Sequence, residues 1–533
     1  SKIYRRPLGE ALANGRQWPA VPGKLPFLGN ALQIGGLSRL FDQIQNWAED
    51  YGQQDGIFEF SLMGTTFVVA CRQDRLLELM KFRPLALVRS NKAKSVALSI
   101  GAKGVFAAEG HEWKSDRRLV APALNRKHVR EYFNNMKLVA KRLVKKWSNI
   151  MESSSNGTVA INHDLYSASI DTLSLTVYGK DANTLETLSD QTSKDVVAIL
   201  DIATLRMFSP IAYWEIPFIG PYLDGGEFIK TRLFLALDDL ITRHLNELDS
   251  SRSDSQGINA HQTTIHTKQT NYNNTFLGRI LELSEQYNDS MPRERLIGQL
   301  LTLFLGGSDS VGTLLCTALW LVAVDPELQE ELVNELLHES QLDLDKASMG
   351  DMLEKLPRMR SFLMEVIRCY GPTPLIFLGA AQDLHLKKVG ASKNAIIPSG
   401  TEVILLSRVA SLHRTAPPPE VPMGPKGEEV PPSEFCPRRW LVQGSSDQDG
   451  VDDTDGSVSA ADTVRVELPS LKSGVHMSFG HGSRMCPGKD FAELEIMTGI
   501  SYVLLEFEIA LSEHENGDEA SLHQIKLSLR KRR

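Results

Sequence analysis

The sequence predicts a mainly α protein with small β-sheets, and three stretches carry that reading. Leu296 to Val324 is an apolar run of twenty-nine residues holding one charge, Asp309, which suits a long helix through the centre of a large core. Residues 110–150 have helical patterning and are unusually basic: Lys114 to Lys146 contains eleven Lys or Arg against two acids, Asp116 and Glu131. Phe58 to Ala70 alternates apolar and polar residues about Gly64 and predicts a hairpin turning there. The central run is long enough to span a bilayer. Gly306-Gly307-Ser308-Asp309-Ser310 at its middle argues against that, because a carboxylate is costly in lipid.

The remaining elements follow in chain order. Trp18-Pro19-Ala20-Val21-Pro22-Gly23-Lys24-Leu25-Pro26 is a stiff proline-rich segment. Arg75 to Lys81 has a helix pattern. Residues 249–275, rich in Ser, Asn, Thr and Gln, predict a flexible insertion. Phe362 to Tyr370 predicts an apolar helix in which Glu365 and Arg368, three apart, share a face and can pair. Residues 416–432 are Pro- and Gly-rich and 441–463 are polar and acidic, so both predict loops. Lys489 to Ile496 predicts a helix, with Pro487 in its first turn.

Composition sets limits. The 533 residues are 42% hydrophobic and 23% charged, with formal net charge −8, which argues against a general nucleic-acid binder. Five scattered cysteines form no disulfide framework and no paired metal motif, so a reducing compartment is expected.

The chemistry concentrates in Phe479-Gly480-His481-Gly482-Ser483-Arg484-Met485-Cys486-Pro487-Gly488. Cys486 precedes a helix, where the dipole and free amides favour a thiolate. Gly482 and Gly488 remove side chains from the loop, so that backbone N–H groups can approach the sulfur. Arg484 supplies a permanent charge for a ligand carboxylate. These features suit an axial thiolate ligand of haem iron, with Arg484 on a propionate. Phe479, Gly482, Arg484, Cys486 and Gly488 match, position for position, the haem-binding signature of the cytochromes P-450, and the chain is identified as resembling that family from about residue 18 to the end.

The resemblance implies a single large helical domain over residues 31–533, with the long central helix above haem b. Residues 1–30 resemble the proline-rich hinge that follows the membrane anchor of microsomal members. A chain starting at Ser1 without methionine then implies an anchor removed from its front, and a place on the cytosolic face of the endoplasmic reticulum membrane. Gly306 to Ser310 resembles the central-helix motif. Glycines leave room for a flat cofactor and dioxygen, Ser310 can interrupt the helix ladder, and Asp309 can relay protons. The usual alcohol there is threonine, so Ser310 is a departure. Trp113 and Arg117, four apart, resemble the pair that donates to a propionate. Glu365 and Arg368, with Arg439 from a Pro-Arg-Arg-Trp segment, resemble the structural network that locks the cysteine loop.

One further departure concerns the propionates. After Glu365 and Arg368 the family has an arginine on a propionate, and here Leu378 or Gly379 stands near its place. His413 is a candidate substitute, and a core histidine is the alternative. The implied function is a monooxygenase taking electrons from an NADPH-cytochrome P-450 reductase docked on the basic region 114–146. The expected substrate is apolar, a sterol or other lipid, lined by 95–105, 205–211, 304–306 and 375–377. The alternatives are a reductase-independent peroxygenase or isomerase, a non-catalytic haem binder, and remotely a zinc site using His476, His481 and Cys486.

Overall fold

The computed structural model describes residues 18–35, 39–153, 157–187, 191–209, 211–256, 274–289, 291–389, 392–413, 429–443, 464–466, 477–512 and 525–532. The helices that build the site are α1 (Gly110–Ala123), α2 (Arg126–Ser153), α3 (Ile161–Tyr178), α4 (Gln191–Phe208), α5 (Gly226–Gln256), α6 (Arg293–Val324), α7 (Pro357–Tyr370) and α8 (Lys489–Glu506). One sheet matters for function. Its strands β1 (Ile57–Leu62), β2 (Thr65–Ala70), β3 (Leu87–Arg89), β4 (Leu375–Ala380) and β5 (Glu402–Leu406) lie in the order β1-β2-β5-β4-β3.

The hairpin forms as expected. β1 and β2 run antiparallel from Ile57 opposite Ala70 to Leu62 opposite Thr65, and Met63 and Gly64 turn the chain with φ of 47° and 82°. Two left-handed residues in a two-residue loop match the twist of the strands they join. β5 adds parallel to β2, β4 adds antiparallel to β5, and β3 closes the edge antiparallel to β4. The proline-rich segment is docked, where a hinge was expected. Val21 N–H donates to Glu59 O at 2.9 Å, the Trp18 indole donates to Glu59 Oε2 at 3.0 Å, and both side chains are buried. Residues 1–17 lie outside the described residues.

The basic stretch is two helices, because the chain breaks at Leu124 and Asn125, where the Asn125 side chain caps α2 by accepting from His128 N–H at 3.1 Å. The helix expected at 75–81 spans Gln73–Met80. The α6 helix begins three residues before the predicted start. It is the one described helix long and apolar enough to cross a membrane, and most of it is buried in the protein. α3 lies along it and is itself buried on most sides. Small residues on α6 permit the approach: a Cβ on Gly307 would come within 2.9 Å of Leu173, and one on Gly312 within 2.9 Å of the Tyr166 ring. α8 packs against the same core, and a Cβ on Gly499 would meet Leu315 at 3.0 Å. Each fully buried leucine or phenylalanine in this cluster contributes about 1.5–3 kcal/mol.

The expected insertions divide. Residues 249–256 are helical, the last two turns of α5, which corrects the prediction of a flexible segment there. Leu441–Gln443 is a strand paired with Val464–Val466, so 441–463 opens with regular structure. Residues 257–273, 414–428 and 444–463 lie outside the described residues.

Candidate active site

The cysteine loop is shaped by two left-handed glycines, Gly480 (φ 73°) and Gly482 (φ 69°), and by Cys486 N–H donating to Phe479 O at 2.8 Å. Phe479 packs on the main core and lies under the Lys489 ammonium at 5.9 Å. A Cβ on Gly488 would sit 3.9 Å from the Cys486 sulfur. Helix α8 starts at Lys489 with Gly488 as its cap, so Pro487 lies one residue before the cap, outside the first turn. The protein atoms crowd around Cys486, yet part of its surface stays open, as in an internal cleft.

Burial pushes the Cys486 thiol above its ordinary value, against the Gly488 amide and the Arg117 charge, which pull it down. Burial thus opposes the helix terminus, which is expected to favour a thiolate. Dehydration outweighs a dipole whose helix begins three residues later. A metal that binds the sulfur displaces the proton and reverses the balance.

α1 brings Trp113 and Arg117 to the same cleft. The Arg484 guanidinium lies 4.2 Å over the Trp113 ring, and Arg117 acts electrostatically on both Cys486 and Arg484. Arg484 donates to Ala108 O at 3.0 Å and pairs with Glu109. The Nε of Arg484, the Nε of Arg89, and the Nε and Nη2 of Arg83 are buried without a hydrogen-bond acceptor. Orphaned buried guanidinium donors are costly unless an anion meets them. The cleft therefore fits a group with a soft metal beside Cys486 and carboxylates beside these arginines.

On α6, Gly306 and Asp309 are exposed and Ser310 is half-buried, although they stand mid-helix. A Cβ on Gly306 would meet nothing within 4 Å. Ser310 donates to Gly306 O at 2.5 Å, as expected for a hydroxyl bonding back to its own helix. Although part of Asp309 is open, the protein packed around the rest of it, and then Asp201, raise its carboxyl above its ordinary value, so it holds its proton at higher pH than a solvated aspartate. Gly307 does not join this open face. It serves the contact with α3, which corrects its assignment to the cofactor. Phe304 is also turned away, and stacks on Tyr178 at 5.3 Å. It lines a cavity of about 400 Å³ with Ile170, Ser174, Tyr178, Val196 and Leu237. That cavity lies across α6 from Gly306, since two residues advance a helix by about 200°.

Glu365 is fully buried. It accepts from Arg368 at 2.7 and 2.8 Å, from the Trp440 indole at 2.9 Å, from Cys436 N–H at 2.9 Å and from Arg439 at 3.4 Å. Arg368 and Arg439 also donate to the carbonyls of Ser411, Pro432, Val430, Pro431 and Glu434. The network thus fastens residues 430–440 to α7. The tie from α7 to the cysteine loop is Ser478, whose hydroxyl donates to Ile367 O at 2.7 Å. The sequence reading missed Ser478, Glu109, Arg83 and Arg89, which belong to no motif. His413 hydrogen-bonds Gln53 at 3.0 Å. His476 of the zinc alternative lies outside the described residues.

The family profile described as Cytochrome P450 matches residues 19–532. The chain belongs to the cytochrome P450 family. Its relatives are distant and widely spread. It is 23% identical over 484 residues to cytochrome P450 97B2, chloroplastic, of Glycine max, covering 89% of this chain and 78% of that protein. It is 22% identical over 553 residues to cytochrome P450 monooxygenase ALT8 of Alternaria alternata, covering 93% and 86%. It is 23% identical over 497 residues to the mitochondrial 25-hydroxyvitamin D-1 alpha hydroxylase of Homo sapiens, covering 92% and 86%. Like these P450s, it is a haem-dependent monooxygenase that binds haem b and takes electrons from a redox partner.

Proposed function

We propose that this P450 oxidises an apolar substrate, a sterol or other lipid, in a cleft where Cys486 ligates the haem iron. The observation that carries the substrate class is the apolar character of the segments expected to line the pocket. Leu98, Phe106 and Leu205 are exposed, Leu375 to Phe377 are half-buried, and Phe208 meets Phe377 edge-on at 6.4 Å. The relative named for 25-hydroxyvitamin D supports the same class.

When bound, haem supplies the oxygen chemistry, and this chain's residues bind, orient and protonate. Cys486 provides the sulfur ligand, in a loop shaped by Phe479, Gly482 and Gly488. Arg484, Trp113 and Arg117 hold propionate. Gly306 leaves space on α6. Asp309 stores a proton at its carboxyl, and the Ser310 hydroxyl passes it toward the cleft. Glu365, Arg368 and Arg439 keep α7 and the 430–440 segment in place.

Electrons come from an NADPH-cytochrome P450 reductase docked on the basic region 114–146. Several of its cations are already paired inside the protein, among them Arg142 with Asp181 and Lys146 with Asp164. Lys114, Lys127 and Arg130 are exposed, with no carboxylate in pairing range among the described residues, and form the docking surface. A membrane place, the cytosolic face of the endoplasmic reticulum, is supported by exposed apolar side chains at Phe218, Ile219, Tyr222, Leu223 and Phe228.

The test is the reduced, carbon monoxide-bound absorption spectrum of the wild type and of Cys486→Ala. A strongly red-shifted Soret band, absent from the variant, is expected, followed by a spin-state shift when sterols or fatty acids are added. A histidine-type band in the wild type would overturn the ligand assignment.

A further inference from the structure

Phe304 belongs to a segment expected to line the substrate pocket, yet it turns to the opposite side of α6, into the cavity of about 400 Å³. That volume lies within the roughly 300–1,000 Å³ of small-molecule pockets. Four helices contribute to its walls: α3 with Ile170, α4 with Val196, α5 with Leu237, and α6 with Leu301 and Phe304. It lies behind α6 as seen from Gly306, so it is separate from the cleft that holds Cys486.

The polar lining is confined to one side. Ser174, Lys180, Asp181 and Thr187 all come from the end of α3 and the segment after it, whereas every lining residue from α4, α5 and α6 is apolar. Lys180 and Thr187 are exposed and Asp181 is half-buried, while Ile170, Val196, Leu237 and Leu301 are buried. The polar side is therefore the mouth, and the apolar side the interior. Two of the groups at the mouth are already satisfied. Asp181 pairs with Arg142 at 2.6 Å, and the Thr187 hydroxyl donates to Asn183 O at 2.8 Å. The Lys180 ammonium has no carboxylate in pairing range among the described residues. Asp239, which feels its charge, is paired with Arg243. Tyr178, two residues before Lys180, also lines the cavity, and its hydroxyl is buried with no hydrogen-bond partner among the described residues. Leaving a buried donor unmet is costly. An apolar interior, a free ammonium at the entrance and an unsatisfied phenol match a chain with an acidic head, since a carboxylate only accepts.

We propose that this cavity is a second ligand site, separate from the haem cleft, for an apolar chain ending in a carboxylate, with Lys180 receiving the head. The chain lies against Leu237 of α5 and Leu301 and Phe304 of α6. Removal of its apolar surface from water drives entry, and Lys180 fixes its direction. The occupant rests on the back of the helix that presents Gly306, Asp309 and Ser310 to the cleft. It also touches α4, which carries Asp201, the residue that acts on the Asp309 carboxyl. This site goes beyond the oxidation proposed above and does not depend on it.

The test uses haem-loaded enzyme whose cleft is blocked by an azole, with occupancy read from the Soret shift. Dodecanoate, kept below its micelle concentration, is titrated by isothermal calorimetry. The wild type should bind one dodecanoate. Lys180→Glu replaces attraction with repulsion at an exposed position and should weaken binding roughly tenfold. Leu237→Trp fills the cavity and should abolish binding. Both variants should keep the wild-type azole titration, because both residues line the cavity and not the cleft. Dodecanol, which lacks the charge, should bind severalfold more weakly than dodecanoate. No dodecanoate bound to the azole-saturated wild type would overturn the site. Unchanged binding in K180E and L237W would place the fatty acid elsewhere and equally overturn it. Dodecanol binding as tightly as dodecanoate would overturn the acidic head. Should L237W not fold, K180E decides alone: binding weakens or the site falls. A wild type showing no azole shift would instead sink the haem-based reading, and the same titration without azole would still score the cavity.

Discussion

Glu365 stays ionised with no access to water, because five donors from four residues converge on it. Burial alone would raise its pKa. The Arg368 hydrogen bonds and charge, the Cys436 amide and Arg439 overcome that and hold it below the ordinary 4.5. A depressed carboxyl stabilises the fold above its unfolded pKa, and the contribution is lost as pH falls through the folded value. Glu365→Ala would leave Arg368 and Arg439 buried and uncompensated, at a cost of about 3–5 kcal/mol. Urea unfolding at pH 7 should show that loss, and the deficit of the variant should shrink below pH 4.5. A variant as stable as wild type would mean that carbonyls alone satisfy both guanidiniums. At this scale the motif was legible and its reach was not. Glu365 and Arg368 are three apart in sequence, but Ser478, which actually joins α7 to the cysteine loop, has no signature.

Helix α6 shows how one element serves two neighbours with chemically identical residues. Gly306 opens onto the cleft, while Gly307 and Gly312 admit α3. Gly312→Ala would gain up to about 1 kcal/mol of helix propensity. It would also drive a methyl into the Tyr166 ring, which has little room to yield, costing about 1–3 kcal/mol. Gly306→Ala has the same propensity gain and no clash. The two variants should therefore separate in thermal unfolding of the haem-free protein, with G312A below wild type and G306A at or above it. Equal midpoints would show that α3 shifts freely along α6. Sequence periodicity located α6 to within three residues, since a long apolar run with one charge is decisive. It could not distinguish adjacent glycines, because that depends on which helix lies alongside.

The whole molecule sets the charge state of its interior. Glu495 on α8 is buried beside α3, and burial raises its pKa to about 8, against the nearby Thr172 and Ser169 hydroxyls. A raised carboxyl pKa means that the folded state binds the proton more tightly. Its contribution to stability is full below the unfolded value and falls as pH rises through about 8. Glu495→Gln should unfold at higher denaturant than wild type at pH 8, with the gap closing toward pH 5. A constant gap would refute a neutral Glu495 in the folded protein. The sequence by itself determined the cysteine loop, the central helix and the hairpin, because each rests on neighbouring residues: left-handed glycines, a helix start, a sustained period. Tertiary structure alone decided that burial opposes ionisation of Cys486, that Gly307 packs against α3, and that Arg89 stands across from Leu378. Those outcomes depend on dehydration and on contacts between residues hundreds of positions apart, and neither is written in any local stretch of the chain.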